Sequence, residues 1–77
     1  MAALVYFKKL SEDGNVIVYS FGDDLLDMAR NLTMDRGTRR SQPDDGDVDY
    51  TFLKASRKIN AMYETANEWP ERGMSAS

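Results

Sequence analysis

Four carboxylates crowd into the six residues from Asp44 to Asp49, namely Asp44, Asp45, Asp47 and Asp49. Such a cluster can hold a hard cation through oxygen, but the spacing does not fit a calcium loop. With Gly46 at the obligatory turn position, Ser41 and Pro43 take the first two ligand places. Phe52 then stands where the closing glutamate belongs. Helix capping and a solvated acidic loop account for the cluster better. The chain has no histidine and no cysteine. The usual neutral-pH acid/base is therefore absent, along with thiol nucleophiles, serine–histidine relays and the common zinc sites. No Walker loop, dinucleotide glycine pattern or serine elbow is present. Carboxylates are the only acid/base groups left, and a chain of 77 residues can hardly form the cleft that a two-carboxylate glycosidase needs. The sequence reads as no enzyme, with no catalytic residue, no cofactor and no metal.

Two other groupings suggest binding. Arg36, Arg39 and Arg40 precede the acidic run, and Lys54, Arg57 and Lys58 follow it. If both face one way they form a basic patch, with Tyr6 and Tyr50 as stacking platforms for a single strand. The plainer reading pairs the arginines with Asp44 to Asp49 and leaves the lysines solvated. Net charge is −3, and acidic stretches (23–35, 44–49) alternate with basic ones (36–43, 50–63). Phosphate binding needs a continuous basic surface, so nucleic acid is the secondary reading. The second grouping is apolar: Leu4, Tyr6, Val16 and Val18 fall on one side of a predicted hairpin.

The elements follow from pattern. Residues 3–10 and 15–21 are rich in valine, isoleucine and aromatics, which suit strands. Ser11-Glu12-Asp13-Gly14 joins them, and the preferred loop comprises Glu12, Asp13 and a left-handed Gly14 with a bulge. That register sets Val5, Phe7, Ile17, Tyr19 and Phe21 on one face and Leu4, Tyr6, Lys8, Val16 and Val18 on the other. A two-residue Asp13-Gly14 turn would split the aromatic cluster.

Asp24 is a good N-cap, and Leu25, Met28, Ala29 and Leu32 have helical spacing, so a short helix is expected near 24–30. Leu32 and Met34 alternate with Thr33 and Asp35 as in a third strand. Asp35-Arg36-Gly37 can then turn into a polar edge strand, Thr38 to Gln42, stopped by Pro43. Asp47 or Asp49 caps the strongest element. Val48, Phe52, Ala55, Ile59, Met62, Ala66 and Trp69 make an apolar stripe that predicts a long helix near 48–68. Lys54, Arg57 and Lys58 lie away from the stripe. Packing on the hairpin is preferred over a helix–helix dimer.

The expected fold is α+β: a small antiparallel β-meander of two to four strands, opened by a hairpin over 3–21. A short helix near 24–30 follows, and the long C-terminal helix packs on one sheet face. Residues 1–70 form the domain and 71–77 a flexible tail. Either the short helix covers the face of Leu4, Tyr6, Val16 and Val18, or that face is an interaction surface. The opening apolar run is too short for an export signal or membrane span, and the lack of cysteine suits a reducing cytoplasm.

Phe21-Gly22, Arg30-Asn31-Leu32-Thr33-Met34-Asp35, Pro43-Asp44-Asp45-Gly46 and Trp69-Pro70-Glu71-Arg72-Gly73 together resemble small uncharacterised proteins of Streptomyces-type actinobacteria. The resemblance implies a bacterial cytoplasmic protein with a strand at Leu32–Asp35, and it carries no catalytic residue. The functional expectation is a non-catalytic protein-interaction or accessory module, bound to an unidentified protein partner or forming a homodimer. Its candidate surface is Tyr6, Val16, Val18, Arg36, Arg39 and Arg40. The alternative is weak nucleic-acid binding by the arginine loop with Lys54, Arg57 and Lys58.

Overall fold

Alternation along the first two strands sets the architecture. In the computed structural model, which describes residues 4–76, β1 (Leu4–Glu12) and β2 (Val16–Gly22) pair antiparallel. Ala3, the expected start of the first strand, and Ser77, the end of the expected tail, lie outside the described residues. Val5, Phe7, Ile17, Tyr19 and Phe21 share the buried face as expected, each no more than 2% exposed. The loop differs. Pairing continues to Glu12 opposite Ile17, and the Asp13 N–H donates to the Val16 carbonyl at 3.0 Å. The Asp13 carboxylate accepts from the Asn15 and Val16 amides at 2.7 and 2.8 Å, so the turn needs no left-handed Gly14. Leu10 is the extra residue between Lys9 and Ser11, and this bulge keeps both strands in phase with the core.

β3 (Arg30–Asp35) pairs with β2, and the short β4 (Ser41–Pro43) pairs with β3. The Asp35 carboxylate closes their turn on the Gly37 and Thr38 amides. Among the described residues a single helix, α1 (Tyr50–Ala66), then crosses one face, and β5 (Arg72–Ala76) pairs with β1. The result is a five-stranded antiparallel sheet in the order β4-β3-β2-β1-β5 with one helix. It corrects the expected meander of two to four strands with two helices.

Each correction has a local cause. No helix forms at 24–30. The Asp24 carboxylate accepts from the Leu26 amide at 2.9 Å, and the Asp27 amide donates to the Asp24 carbonyl at 3.0 Å, closing a tight turn. Leu25 is 66% exposed and Ala29 is exposed as well, so the helical spacing of Leu25, Met28 and Ala29 has no buried face to serve. A helix that short has little stability of its own. The loop instead folds over Gly22, where a Cβ would strike the Asp27 carbonyl oxygen and come within 3.2 Å of Met28 Cα.

The long helix starts later and stops earlier than expected. Asp49 is the N-cap, accepting from the Phe52 amide at 2.9 Å, which leaves Val48 outside and exposed. Asn67 ends α1 in the left-handed conformation, its amide bonded to the Tyr63 carbonyl. Trp69 is therefore off the helix. The chain reverses and stacks the indole on Tyr63, with ring centres 4.2 Å apart. The Tyr19 hydroxyl donates to the Pro70 carbonyl at 2.7 Å, and the Lys9 amide donates to Glu71 at 2.7 Å. These anchors turn the supposed tail into β5. Gly73 fits there because a Cβ would lie 2.8 Å from Phe7 Cζ.

Candidate interaction surface

The site grows from the face that α1 does not cover. Pairing places Leu4, Tyr6 and Lys8 of β1 beside Arg72, Met74 and Ala76 of β5, and Val16 and Val18 of β2 beside Asp35 and Thr33 of β3. Tyr6, Val16 and Val18 are half-buried by their neighbours alone, while Leu4 is 38% and Met74 48% exposed. Among the described residues no helix lies over them, since α1 packs on the side of Phe7, Tyr19 and Ile59. The expected cover has become the loop over Gly22 at one end. The charges here are divided: Lys8 and Arg72 are on the β1–β5 side. Asp35 and Asp44 are on the β3–β4 side together with Arg40, and Thr33 donates to Asp44 there at 3.0 Å.

Of the arginines expected to join this surface, Arg36 and Arg39 are placed elsewhere, while Arg40 lines a hollow on it with Val16, Thr33 and Asp35. Arg36 donates to the Asp13 carbonyl at 2.7 Å and lies 3.7 Å from Glu12. Arg39, with φ of 61°, pairs with Glu64 at 2.9 Å and lies over the Tyr63 ring. Asn60 of α1 donates to the Arg39 carbonyl at 3.1 Å. Arg40 is exposed. These contacts fix the loop to the flank of α1 facing β4, where Ser56 also meets Ser41 at 2.6 Å. Lys54, Arg57 and Lys58 lie on the other flank, beside Ser75 of β5. The helix separates the two basic groups. Lys54, expected to be solvated, is 8% exposed and sits 5.6 Å from the Tyr50 ring centre.

The acidic cluster is also rearranged, because its cation is Arg30. The guanidinium donates to Asp45 at 2.8 and 3.2 Å, to Asp49 at 2.7 and 2.9 Å, and to the Asp47 carbonyl at 2.8 Å. It also lies 4.7 Å over the Phe21 ring. Sequence reasoning gave these acids to Arg36, Arg39 and Arg40 and missed Arg30. A lone cation inside the acidic stretch 23–35 was the available signal. Hydrogen bonding to Arg30 holds the Asp45 and Asp49 carboxyls below the ordinary carboxylate range, and the same bonds push the guanidinium up. No group of three or more acidic side chains among the described residues is placed to hold a metal. No described helix is long and apolar enough to cross a membrane.

No family model matches the chain, and neither a curated protein nor a solved structure gives a match. The surface is therefore read from its own chemistry.

Proposed function

We propose that this protein is a non-catalytic interaction module whose uncovered sheet face packs against the same face of a second copy. The observation that carries the reading is that face itself: Tyr6 with exposed Leu4 and Met74 at one end, Val16 and Val18 at the hairpin end, the row Lys8–Ser20–Asn31 between them, and no described helix over either. Charge favours a second copy as occupant. Lys8 and Arg72 at one side face Asp35 and Asp44 at the other, where Arg40 offsets one of the two acids, so two faces brought together in reverse still match net unlike charges. Sheets pack face to face at about 10 Å, with interdigitating side chains, and a valine-tyrosine surface suits that contact. The acids offer little for catalysis, since Arg30 holds Asp45 and Asp49.

Sedimentation of wild type and Val18→Lys tests the reading. The expected result is a wild-type dimer and a folded monomeric variant, because a buried ammonium without a partner is costly. A wild type that stays monomeric at high concentration removes it. Nucleic-acid binding draws less support, because Arg36 and Arg39 are already engaged and the helix cations lie on the opposite flank. A labelled single strand whose binding is unchanged by an Arg36/Arg39/Arg40→Ala triple variant would exclude the arginine loop.

A further inference from the structure

The two edges of the sheet are finished differently. β4 has three residues, ends in Pro43 and follows Arg39 and Arg40, all features that discourage another strand from adding. β5 carries no proline or lysine over Arg72–Ala76. Its hydrogen-bond phase is set by the Lys9 amide donating to the Glu71 carbonyl at 2.7 Å. Gly73 opposite Phe7 and Ser75 opposite Val5 therefore turn their backbone groups toward β1. Arg72, Met74 and Ala76 turn theirs outward, presenting donors and acceptors in a row.

A groove of 410 Å³ runs between this strand and α1, lined by Tyr50, Leu53, Arg57, Lys58, Ala61 and Ser75 among others. Its apolar wall is open, with Tyr50 62% and Leu53 39% exposed. Neither Arg57 nor Lys58 forms an ion pair among the described residues. From the strand edge left unpaired among the described residues and the basic, apolar-walled groove beside it, we infer that β5 receives an acidic extended segment of another protein as a sixth strand. Its backbone pairs with Arg72, Met74 and Ala76, while alternate side chains enter the groove, carboxylates toward Arg57 and Lys58. A second copy of this edge is the poorer occupant, because it would set basic flank against basic flank. The inference goes beyond the face-to-face contact and uses the backbone edge of β5, whose Arg72 and Met74 side chains belong to that face.

The test uses a fluorescent peptide of alternating glutamate and valine. An alternating lysine–valine peptide and a shuffled glutamate–valine peptide are the controls. The acidic alternating peptide is expected to bind saturably and to slow amide exchange at Arg72, Met74 and Ala76. Met74→Pro removes an outward N–H and leaves the ladder to β1 intact, so binding should weaken at least about tenfold with melting unchanged. Arg57→Glu with Lys58→Glu should shift preference to the lysine–valine peptide, and this variant decides the matter if Met74→Pro does not fold. No saturable binding up to about 1 mM, or equal binding of all three peptides, overturns the inference. A monomeric wild type that binds the acidic peptide removes only the face-to-face contact. A dimer that ignores the peptide removes only the edge site.

Discussion

Neighbouring residues on the same strands meet opposite fates on the two faces of this sheet. Phe7 and Tyr19 are at most 1% exposed, while Tyr6 and Val18, one residue away, remain half-open. Leu32 and Met34 are sealed, and Thr33 between them bonds to an exposed aspartate. The strands alternate on both faces, yet among the described residues only one helix is available to cover either. Apolar content therefore does not decide burial here. The path of α1 does, lying along the aromatic side with one flank toward β4 and the other toward β5.

The largest effect should come from charging the covered face. Ile59 is fully buried among the core residues. Ile59→Asp buries a carboxylate or forces its protonation, at a cost of several kcal/mol against a total stability of about 5 kcal/mol. The variant should lack a cooperative thermal transition in circular dichroism. An unchanged melt would mean that α1 does not pack on this face. Next comes Gly73→Val, which places a branched side chain against the Phe7 ring and Met62 Sδ. Overpacking of this kind costs about 1–3 kcal/mol. Amide exchange should accelerate at position 73 and at Ser75 before it does elsewhere. A variant with β5 fully protected would contradict the strand.

The margin of the covered face should also be acid-sensitive. Arg30 shares that face with Phe21 and lowers the pKa of Asp45 and of Asp49. A carboxylate depressed in the folded state stabilises above its unfolded pKa, about 3.9, and that contribution is lost as pH falls through the lower folded value. Wild-type melting temperature should therefore fall as pH drops from about 5 toward 2. Arg30→Met should flatten that part of the curve, because neither carboxylate then keeps its cation. Equal slopes for the two proteins would show that the clamp does not couple to folding.

These contrasts also explain what the sequence could and could not disclose. The stripe from Phe52 through Ile59 announced a helix, and alternation placed Val5, Phe7, Ile17, Tyr19 and Phe21 together. The same parity put Tyr6, Val16 and Val18 on the opposite side, so the candidate face was legible. β5 was not, because Arg-Gly-Met-Ser-Ala has weak strand preference. Its glycine answers to the Phe7 ring, which is distant in sequence. Trp69 kept helical spacing although Asn67 had already ended the helix. Leu25, Met28 and Ala29 imitated a helix because spacing alone does not report the hydrogen bonds of Asp24. The Arg30 clamp joins residues 15 and 19 positions apart, and no local pattern encodes such a pairing.

The smallest expected effect sharpens the comparison most, because it uses adjacent residues of one strand. Ile17→Thr and Val18→Thr both introduce a hydroxyl without breaking strand preference, since threonine suits a pleated surface. At Ile17, 0% exposed, the hydroxyl loses water and apolar contacts vanish, so the cost should be about 2 kcal/mol. At Val18 the hydroxyl of an isolated monomer still reaches water, and the change should stay within about 0.5 kcal/mol. The measurement is urea unfolding of both variants at low protein concentration, where any dimer has dissociated. Equal losses at the two positions would mean that both faces are covered in the monomer, and the open sheet would have to be abandoned. If the asymmetry holds at low concentration but Val18→Thr loses stability relative to wild type as concentration rises, the missing term is the second copy. Stability of a dimer depends on concentration and that of a monomer does not. An asymmetry unchanged across concentration would keep the open face and remove its self-association.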